Sequence, residues 1–358
     1  MAVAKFDPRE LEKAGERELF MMGSVPLYDY PVTPREAYKE LYRRRPVWQM
    51  TSIDSQMFAP RINPDNIARA MVMDGGAPDT VPQGGKDMFG IEWEFVRQVG
   101  GSMVRPGKPL LEDANDWRET IVWPDLDSWD WNAATRENES YLSDVYFNEC
   151  WLQNGWFERL ITFMDFEGAI MALFDDDQKD AVKELFDKLS DFYIDLLGRF
   201  FRSFPKIDAM FIHDDWGSQK ESFFSPALCE EMVVPYMRKV TDYIHSTGRV
   251  AELHSCGQIF KQVPNIIAAG WDTWYGQTMN DSQKIYEVYG DSLVLGVIPD
   301  VFDPENTSPD EQRARARRYA EKFCDPTRPS KFSAYGMSML TPAFREELYK
   351  QSRMRYGG

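Results

Sequence analysis

From about residue 178 to its end, the chain alternates between helical and extended patterns. Apolar residues recur at helical spacing over about 178–202, the apolar run 207–212 follows, and strand and helix then alternate, five times in all. Further strands are predicted at 250–253, 271–275, 293–297 and 331–335. Because a helix between two strands joins them in parallel, this alternation predicts an α/β fold with a parallel sheet.

Polar side chains follow these strands where each one ends. They are His213, Asp214, His254, Cys256, Gln277, Asp300 and Tyr335. In a (β/α)8 barrel these positions face one shared mouth, where the active site lies. A doubly wound sheet would also bind ligands at its strand ends, but so many successive ends with site-like residues favour the barrel. We therefore predict a (β/α)8 TIM barrel in which the first two residues act in catalysis and the last three bind substrate.

The segment His254-Ser255-Cys256-Gly257 is the strongest candidate for a metal site. The chain has only three histidines and four cysteines, and one of each stands here two residues apart, where a strand should stop. Residues i and i+2 of a strand point to the same face, so an imidazole nitrogen and a thiolate sulfur can reach one ion, and zinc accepts both. A buried cysteine beside a capping histidine is the competing interpretation.

The predicted domains are an N-terminal helical extension over residues 1–45 and the barrel over residues 46–358. Pro46–Met50 is predicted as a short buried strand in which Trp48 binds substrate. Residues 74–130 are rich in Gly, Pro, Asp and Trp. They are predicted to form loops and short strands that act as a lid or an insertion.

Composition limits the class of partner. The chain carries 41 Lys and Arg against 58 Asp and Glu, a net charge of −17. A nucleic-acid-binding protein is expected to show a basic patch, whereas the basic run Arg313–Arg318 lies in a helical pattern and reads as a solvated face. No apolar run is long enough to cross a membrane, and residues 1–10 lack a signal sequence. Four widely spaced cysteines fit a reducing cytoplasm.

Several motifs resemble those of the uroporphyrinogen decarboxylase superfamily, from about residue 40 to the end. Arg45–Met50 looks like the first-strand signature of the decarboxylase, while Asp214–Gln219 and His254–Gly257 look like the branch that transfers methyl groups. The resemblance implies a (β/α)8 barrel that uses zinc and moves a methyl group to or from a corrinoid cobalt. It also aligns Asp87 with a catalytic aspartate of the decarboxylase, so Asp87 is carried over as a catalytic candidate.

One departure argues against decarboxylation of a porphyrinogen. In the decarboxylase, the Met of the first-strand signature is followed by a Gln and two arginines that grip porphyrin carboxylates. Here Met50 is followed by Thr51-Ser52-Ile53-Asp54. Binding a polycarboxylate requires cationic side chains, and Asp54 would repel it.

The third metal ligand has two candidates of different chemistry. Relatives that methylate a thiol carry a later cysteine near a glycine on the last barrel strand, and Gly336 marks that place here. The later cysteine of this chain, Cys324, instead lies at a helix end. The alternative is a carboxylate, either Glu167, which the resemblance places at the pocket, or Asp214. Zinc accepts mixed N, S and O ligands.

These residues favour a methyltransferase that removes the methyl group of a methyl ether, with a methoxylated aromatic as the small-molecule methyl donor. Zinc would stabilise the charge on the leaving oxygen, and His213 or Asp214 could protonate it. Two other interpretations stay open. One is methyl transfer from a corrinoid to a thiol or a folate, and the other is a zinc-stabilised barrel that only binds a corrinoid protein.

The corrinoid itself is expected on a partner protein. Corrinoid modules with a lower histidine ligand carry the motif Asp-x-His-x-x-Gly. Here only His245 and Gly248 fit that motif, and Tyr243 stands in place of the aspartate. We therefore expect a separate corrinoid protein to dock at a mouth shaped by residues 74–130.

Overall fold

The computed structural model describes residues 5–19, 23–77, 83–98 and 101–357. The chain divides into two compact units. The first comprises Met1–Gln56, Asp144–Phe147 and Asp272–Gly358, and the second comprises Met57–Ser143 and Asn148–Trp271. Among the described residues, no helix combines the length and apolarity needed to span a bilayer.

The described strands are β1 (Lys13–Leu19), β2 (Gly23–Tyr28), β3 (Ser55–Phe58), β4 (Gly84–Lys86), β5 (Glu92–Val96), β6 (Gly101–Val104), β7 (Phe147–Leu152), β8 (Ala209–His213), β9 (Val250–Ser255), β10 (Thr273–Gly276), β11 (Gly296–Val297) and β12 (Lys331–Phe332). The described α-helices are α1 (Pro34–Tyr42), α2 (Pro64–Ala68), α3 (Trp117–Thr120), α4 (Trp131–Asn138), α5 (Trp156–Phe174), α6 (Lys179–Ser203), α7 (Pro226–Met232), α8 (Val234–Ser246), α9 (Val263–Ala268), α10 (Ser282–Tyr289), α11 (Pro309–Phe323) and α12 (Pro342–Tyr356).

Strands β7, β8 and β9 form the parallel sheet of the second unit. Each strand is followed by helices, α5 and α6 after β7 and α7 and α8 after β8, so the connections are those of consecutive βα units. Strand β8 reads Ala-Met-Phe-Ile-His, and its four apolar residues are all buried. A strand buried on both faces is typical of a parallel sheet covered by helices.

Helix α6 shows why these connections pack against the sheet. Leu185, Leu189, Phe192 and Leu196 recur at spacings of three and four residues, and all four are buried. Such spacing places them along one stripe of the helix, with the charged residues outside it. The helix predicted over about 178–202 is therefore present almost at its predicted limits.

Within the predicted insertion, β4, β5 and β6 form an antiparallel sheet, with Gly85 paired to Trp93 and Phe95 paired to Ser102. The short strands predicted between residues 74 and 130 are therefore present in the second unit. Residues 78–82 and 99–100 of this stretch lie outside the described residues. The role of the stretch as a lid stays a prediction.

The N-terminal segment differs from its predicted helical structure. Strands β1 and β2 pair antiparallel, and the described helices before residue 45 are α1 and one turn of 3-10 helix at Pro8–Leu11. In β1, Gly15, Arg17 and Leu19 are partly buried and the residues between them are exposed. This period of two is that of a strand. The polar composition of the segment does not reveal this period.

Three predicted strands of the first unit are shorter or absent. Pro46–Met50 is not a strand, because the Gln49 N–H donates to Ser352 Oγ (3.0 Å) instead of a neighbouring strand. Only two residues of 293–297 form β11. Strand β12 ends at Phe332 because Ser333 caps a 3-10 helix, accepting from the Tyr335 N–H at 3.3 Å.

Candidate metal centre

Four side chains of types that bind metal ions meet at the carboxyl ends of β8 and β9. They are His213, Asp215, His254 and Cys256, and one ligand atom from each lies within 4.8 Å of the others. His254 is buried and the other three are partly buried. Within the described part of the chain, no other group of three or more potential ligands is found. We call these four residues the metal cluster.

The parallel register of two strands brings the metal cluster together. His213 pairs with His254 across β8 and β9, and the two imidazole rings stack with centroids 4.7 Å apart. Asp215 and Cys256 each follow their histidine by two residues, so both pairs return to the same side of the sheet. The Cys256 N–H also donates to Asp215 Oδ1 at 2.6 Å, which ties the two strand ends to each other.

The loops that leave the two strands approach at a pair of glycines. Gly257 has φ +88°, and a Cβ atom placed on it would lie 2.1 Å from the carbonyl oxygen of Gly217. A larger residue would therefore meet both backbone strain and a clash. The Gln258 N–H donates to Ser218 O (2.7 Å) just beyond this contact. Glycine at position 257 thus keeps the Cys256 loop against the loop that follows Asp215.

Two distances within the metal cluster are close to those of a tetrahedral zinc site. His254 Nε2 lies 3.2 Å from Cys256 Sγ, and His213 Nε2 lies 3.5 Å from Asp215 Oδ1. Zinc bonds of about 2.0–2.3 Å imply ligand atoms about 3.3–3.8 Å apart in a tetrahedron. Two imidazoles, one thiolate and one carboxylate are all zinc ligands. The residues present therefore fit zinc.

Burial sets the protonation states of the cluster in the absence of a cation. It lowers the pKa of His213 to about 4, with Asp215 acting in the opposite direction, so the imidazole is neutral and its nitrogen can bind a metal. Burial also raises the pKa of the Cys256 thiol, and the carboxylate of Asp215 raises it further. A bound cation reverses this effect, because it favours the thiolate.

Glu158 and Arg69 stand behind His213. Glu158 Oε2 lies 2.6 Å from His213 Nδ1, and Arg69 Nη1 donates to Glu158 Oε1 at 3.2 Å. Arg69 Nη2 also lies 3.2 Å from the same ring nitrogen. Nδ1 cannot both donate to Glu158 and accept from Arg69. The shorter contact assigns the Nδ1 proton to the Glu158 bond. Nε2 is then left unprotonated, as a metal ligand must be.

Asp214, predicted to act in catalysis or to bind metal, has a structural position instead. Its side chain is fully buried and faces the start of α5, where Oδ1 accepts from the Glu158 N–H (2.8 Å) and Oδ2 accepts from Trp216 Nε1 (2.9 Å). Burial raises the pKa of Asp214 to about 7. Gly155 precedes the helix and has no side chain to cap it, so Asp214 caps α5 from the neighbouring strand.

Asp87, the other predicted catalytic carboxylate, is held in a buried ion pair. Oδ2 accepts from Arg159 Nη1 at 2.8 Å and from Trp93 Nε1 at 3.2 Å. Oδ1 accepts from the backbone N–H groups of Phe89 and Ile91, both at 2.9 Å. Arg159 bonds Asp65 as well. Asp87 therefore joins the inserted sheet to α5, and its lone pairs are committed to that role.

The other two candidates for a third ligand also lie outside the metal cluster. Glu167 is on α5 with its side chain exposed. Cys324 is buried in the first unit, where its thiol donates to Gln49 Oε1 at 3.3 Å and burial raises its pKa to about 12. His213 and Asp215 complete the cluster instead. The signal for them was available in the sequence, because His213-x-Asp215 repeats the spacing of His254-x-Cys256.

The predicted substrate-binding residues all lie in the first unit. Trp48 is buried and stacks on Tyr30, with ring centroids 4.9 Å apart, so in this unit it packs in an aromatic cluster. Gln277 is partly buried just after β10. Asp300 is exposed and accepts from Gln283 Nε2 at 3.0 Å. Tyr335 is 40% exposed. Their role in substrate binding stays a prediction.

Residues 161–330 match the family model of uroporphyrinogen decarboxylase (URO-D). This segment contains β8, β9 and the whole metal cluster. Over these residues the chain is similar to the uroporphyrinogen decarboxylase family. The resemblance seen in the strand-end motifs is therefore confirmed, as is the α/β fold class with the (β/α)8 barrel of that superfamily.

A solved structure shows the same fold over most of the chain. A methyltransferase from Methanosarcina mazei is similar over 90% of this chain and 98% of its own, with a TM-score of 0.59 and 15% identity. An α-galactosidase from Saccharomyces cerevisiae covers 66% of this chain and 52% of its own at 10% identity, but its TM-score of 0.30 is too low to bear on the fold. No curated protein matches the sequence.

Proposed function

We propose that the protein is a zinc-dependent methyltransferase that demethylates a methyl ether. The substrate class is a methoxylated aromatic, and the acceptor is the cobalt of a corrinoid carried by a separate protein. The metal cluster at the ends of β8 and β9 is the observation that carries this proposal. The superfamily of residues 161–330 and the shared fold with a methyltransferase from Methanosarcina mazei support it.

His213, Asp215, His254 and Cys256 would hold the zinc ion. When bound, zinc supplies Lewis-acid stabilisation of the negative charge that develops on the ether oxygen. Glu158 keeps the His213 ring in one orientation through Nδ1. The metal cluster contains one thiol, and fewer thiolates leave zinc more electrophilic, which suits an oxygen leaving group.

The side chains below the metal cluster include two stacked aromatic rings. Trp151 and Phe211 stack with centroids 4.3 Å apart and an interplanar angle of 13°, and Phe211 in turn stacks near His254 at 6.1 Å. Aromatic faces of this kind suit an aromatic ligand. They also exclude water, which strengthens charge stabilisation at the reacting oxygen.

In the proposed reaction the bond between the ether oxygen and the methyl carbon breaks. The methyl carbon bonds to the reduced cobalt of the partner protein, which supplies the electron pair. The oxygen leaves as a phenolate and takes up a proton. No oxidant or further reductant is required, since the electron pair of the broken bond stays on the oxygen.

The proposal is tested with purified protein loaded with zinc, reduced cobalamin and a panel of methoxybenzenes. We expect formation of methylcobalamin and of the matching phenol, and loss of both in Cys256→Ser. The variant Cys229→Ser is the matched control, because Cys229 is buried and lies outside the metal cluster. If no methoxybenzene yields methylcobalamin with the zinc-loaded protein, the demethylase proposal is wrong.

A second candidate function is methyl transfer from a corrinoid to a thiol. The observation that favours it is that three of the four cluster residues, His213, His254 and Cys256, offer nitrogen or sulfur, as expected for a site that binds a thiolate. Incubating the zinc-loaded protein with methylcobalamin and a small thiol distinguishes the two. A methyl thioether without activity on methoxybenzenes would favour this second function.

A further inference from the structure

One buried polar side chain beside the metal cluster has no partner. Gln153 directly follows β7 and is only 2% exposed. Its Nε2 makes no hydrogen bond with any residue that the structure describes. Buried polar groups are nearly always hydrogen-bonded, so an exception requires an explanation. Neither the packing of the fold nor the metal cluster explains why Gln153 Nε2 is buried without an acceptor among the described residues.

The sheet register places Gln153 on the same face as the cluster histidines. Leu152 pairs with Ile212 at the last registered position of β7 and β8, and the Gly155 N–H donates to His213 O (2.7 Å) just beyond it. Trp151 and Phe211 are paired across the two strands, and their stacked rings show that they lie on one face of the sheet. Two residues further along each strand, Gln153 and His213 return to that face.

A second hydrogen-bond donor on this face is also unpartnered. The Nε1 of Trp151 is buried and makes no hydrogen bond with a described residue. The stacked pair of Trp151 and Phe211 thus lies one layer below Gln153 and His213 along the strands. Among the described residues, Gln153 and Trp151 therefore present two unpaired donors on the face that carries the cluster histidines.

We propose that Gln153 is a substrate-binding residue whose amide donates a hydrogen bond to an oxygen of the methyl donor. The inference rests on the proposed function and narrows its substrate class. The amide is uncharged, so it suits a neutral acceptor such as an ether, hydroxyl or carbonyl oxygen. The preferred substrates are therefore methoxylated aromatics that carry a second oxygen, and plain methoxybenzene is a poor one.

The physical basis is the difference between a paired and an unpaired buried donor. A donor left unpaired in a buried site is costly, and a ligand that supplies an acceptor removes that cost. Sites that hydrogen-bond a substrate therefore discriminate against analogues that lack the bonding group. Gln153 would give the site this kind of selectivity.

The first test measures stability without any substrate. Gln153→Leu removes an unpaired amide, so its melting temperature should equal or exceed that of the wild type. Gln262→Leu is the matched control. Gln262 is fully buried, but its Nε2 donates to Phe224 O and its Oε1 accepts from Asn265 Nδ2, both at 2.8 Å. That variant should melt several degrees lower, since it leaves partners unpaired.

The second test measures equilibrium binding to the zinc-loaded protein by calorimetry, without a corrinoid. The probes are methoxybenzene and 1,2-dimethoxybenzene, which differ by one oxygen-bearing group. The wild type should bind the second about 10-fold more tightly, and in Gln153→Leu the ratio should fall to about 1. If the ratio of affinities falls while the zinc content is unchanged, the binding preference is due to the Gln153 amide.

The results separate the two proposals. A binding preference that depends on Gln153, in a protein that transfers no methyl group, supports this inference and rejects the demethylase function. A wild type with no preference, or a Gln153→Leu variant that keeps the preference, overturns the inference even if methyl transfer occurs. A Gln153→Leu variant that melts as low as Gln262→Leu overturns it too, because the amide would then be structurally paired.

Discussion

Glu158, on the first turn of α5, holds His213, at the end of β8, with 2.6 Å between Oε2 and Nδ1. The carboxylate fixes both the tautomer and the orientation of a metal-cluster imidazole. Arg69 in turn bonds Glu158 at 3.2 Å and lies over the Trp93 ring at 5.0 Å. The inserted sheet thereby contacts the support of the metal site.

Zinc affinity is expected to depend on Glu158. In Glu158→Gln the side chain keeps its size but loses the charge that favours the Nε2 lone pair, so we expect zinc affinity to fall about 10- to 100-fold. Competition with a chromophoric chelator measures this. The control is Glu221→Gln, because Glu221 is an exposed partner of Lys261. Equal zinc affinity in both variants would show that Glu158 does not support the metal site.

Zinc content should separate the two cysteines that the sequence offered as ligands. Cys256→Ser is expected to lose most of the bound zinc, whereas Cys324→Ser is expected to retain it, because Cys324 bonds Gln49 and lies outside the metal cluster. Elemental analysis of purified variants checks both. Zinc loss in Cys324→Ser, with folding intact by circular dichroism, would contradict the cluster as we describe it.

Arg159 is expected to be among the most important residues for stability. It is fully buried between Asp65 and Asp87, so Arg159→Met leaves two carboxylates without their counter-charge. The free energy of unfolding should fall by about 3–5 kcal/mol, measured by urea denaturation. Arg238→Ala removes an exposed ion pair with Asp242 and should cost less than about 1 kcal/mol. Similar losses for both variants would argue against the buried network.

Asp54 should make stability depend on pH. Burial raises the pKa of Asp54 above its ordinary value, although the charge of Arg345 opposes the shift. A carboxyl with a raised folded pKa binds more protons when folded, so its contribution to stability is present at low pH and is lost as pH rises. The difference in melting temperature between Asp54→Asn and the wild type should therefore shift in favour of the variant as the pH rises from 4. A difference that does not change with pH would contradict the raised pKa.

The regular part of the fold was predictable because its signal is local. The helix predicted over about 178–202 is α6, since Leu185 and Leu189 repeat at helical spacing. The hairpin of β1 and β2 was missed because its residues are polar on most positions, so composition suggested a solvated helix. The strand predicted at 46–50 failed because apolar residues are buried in coil as readily as in a strand.

The metal site was predictable only where its residues are neighbours in the chain. His254 and Cys256 share one strand end, so their spacing was informative. Glu158 and His213 are 55 residues apart, and their contact depends on how α5 packs against β8. The sequence pattern predicted Asp214 and not Asp215, and only the alternation along the strand distinguishes a helix cap from a ligand.

The cap that Asp214 places on α5 has a consequence for dynamics. His213 and Asp215 point to the cluster, while the residue between them bonds the first turn of α5. A movement of this strand end would therefore break the hydrogen bonds that Asp214 accepts from backbone amides at the start of α5. Hydrogen exchange at those amides should slow when the ion binds, so a backbone signal from outside the metal cluster would report occupancy of the site.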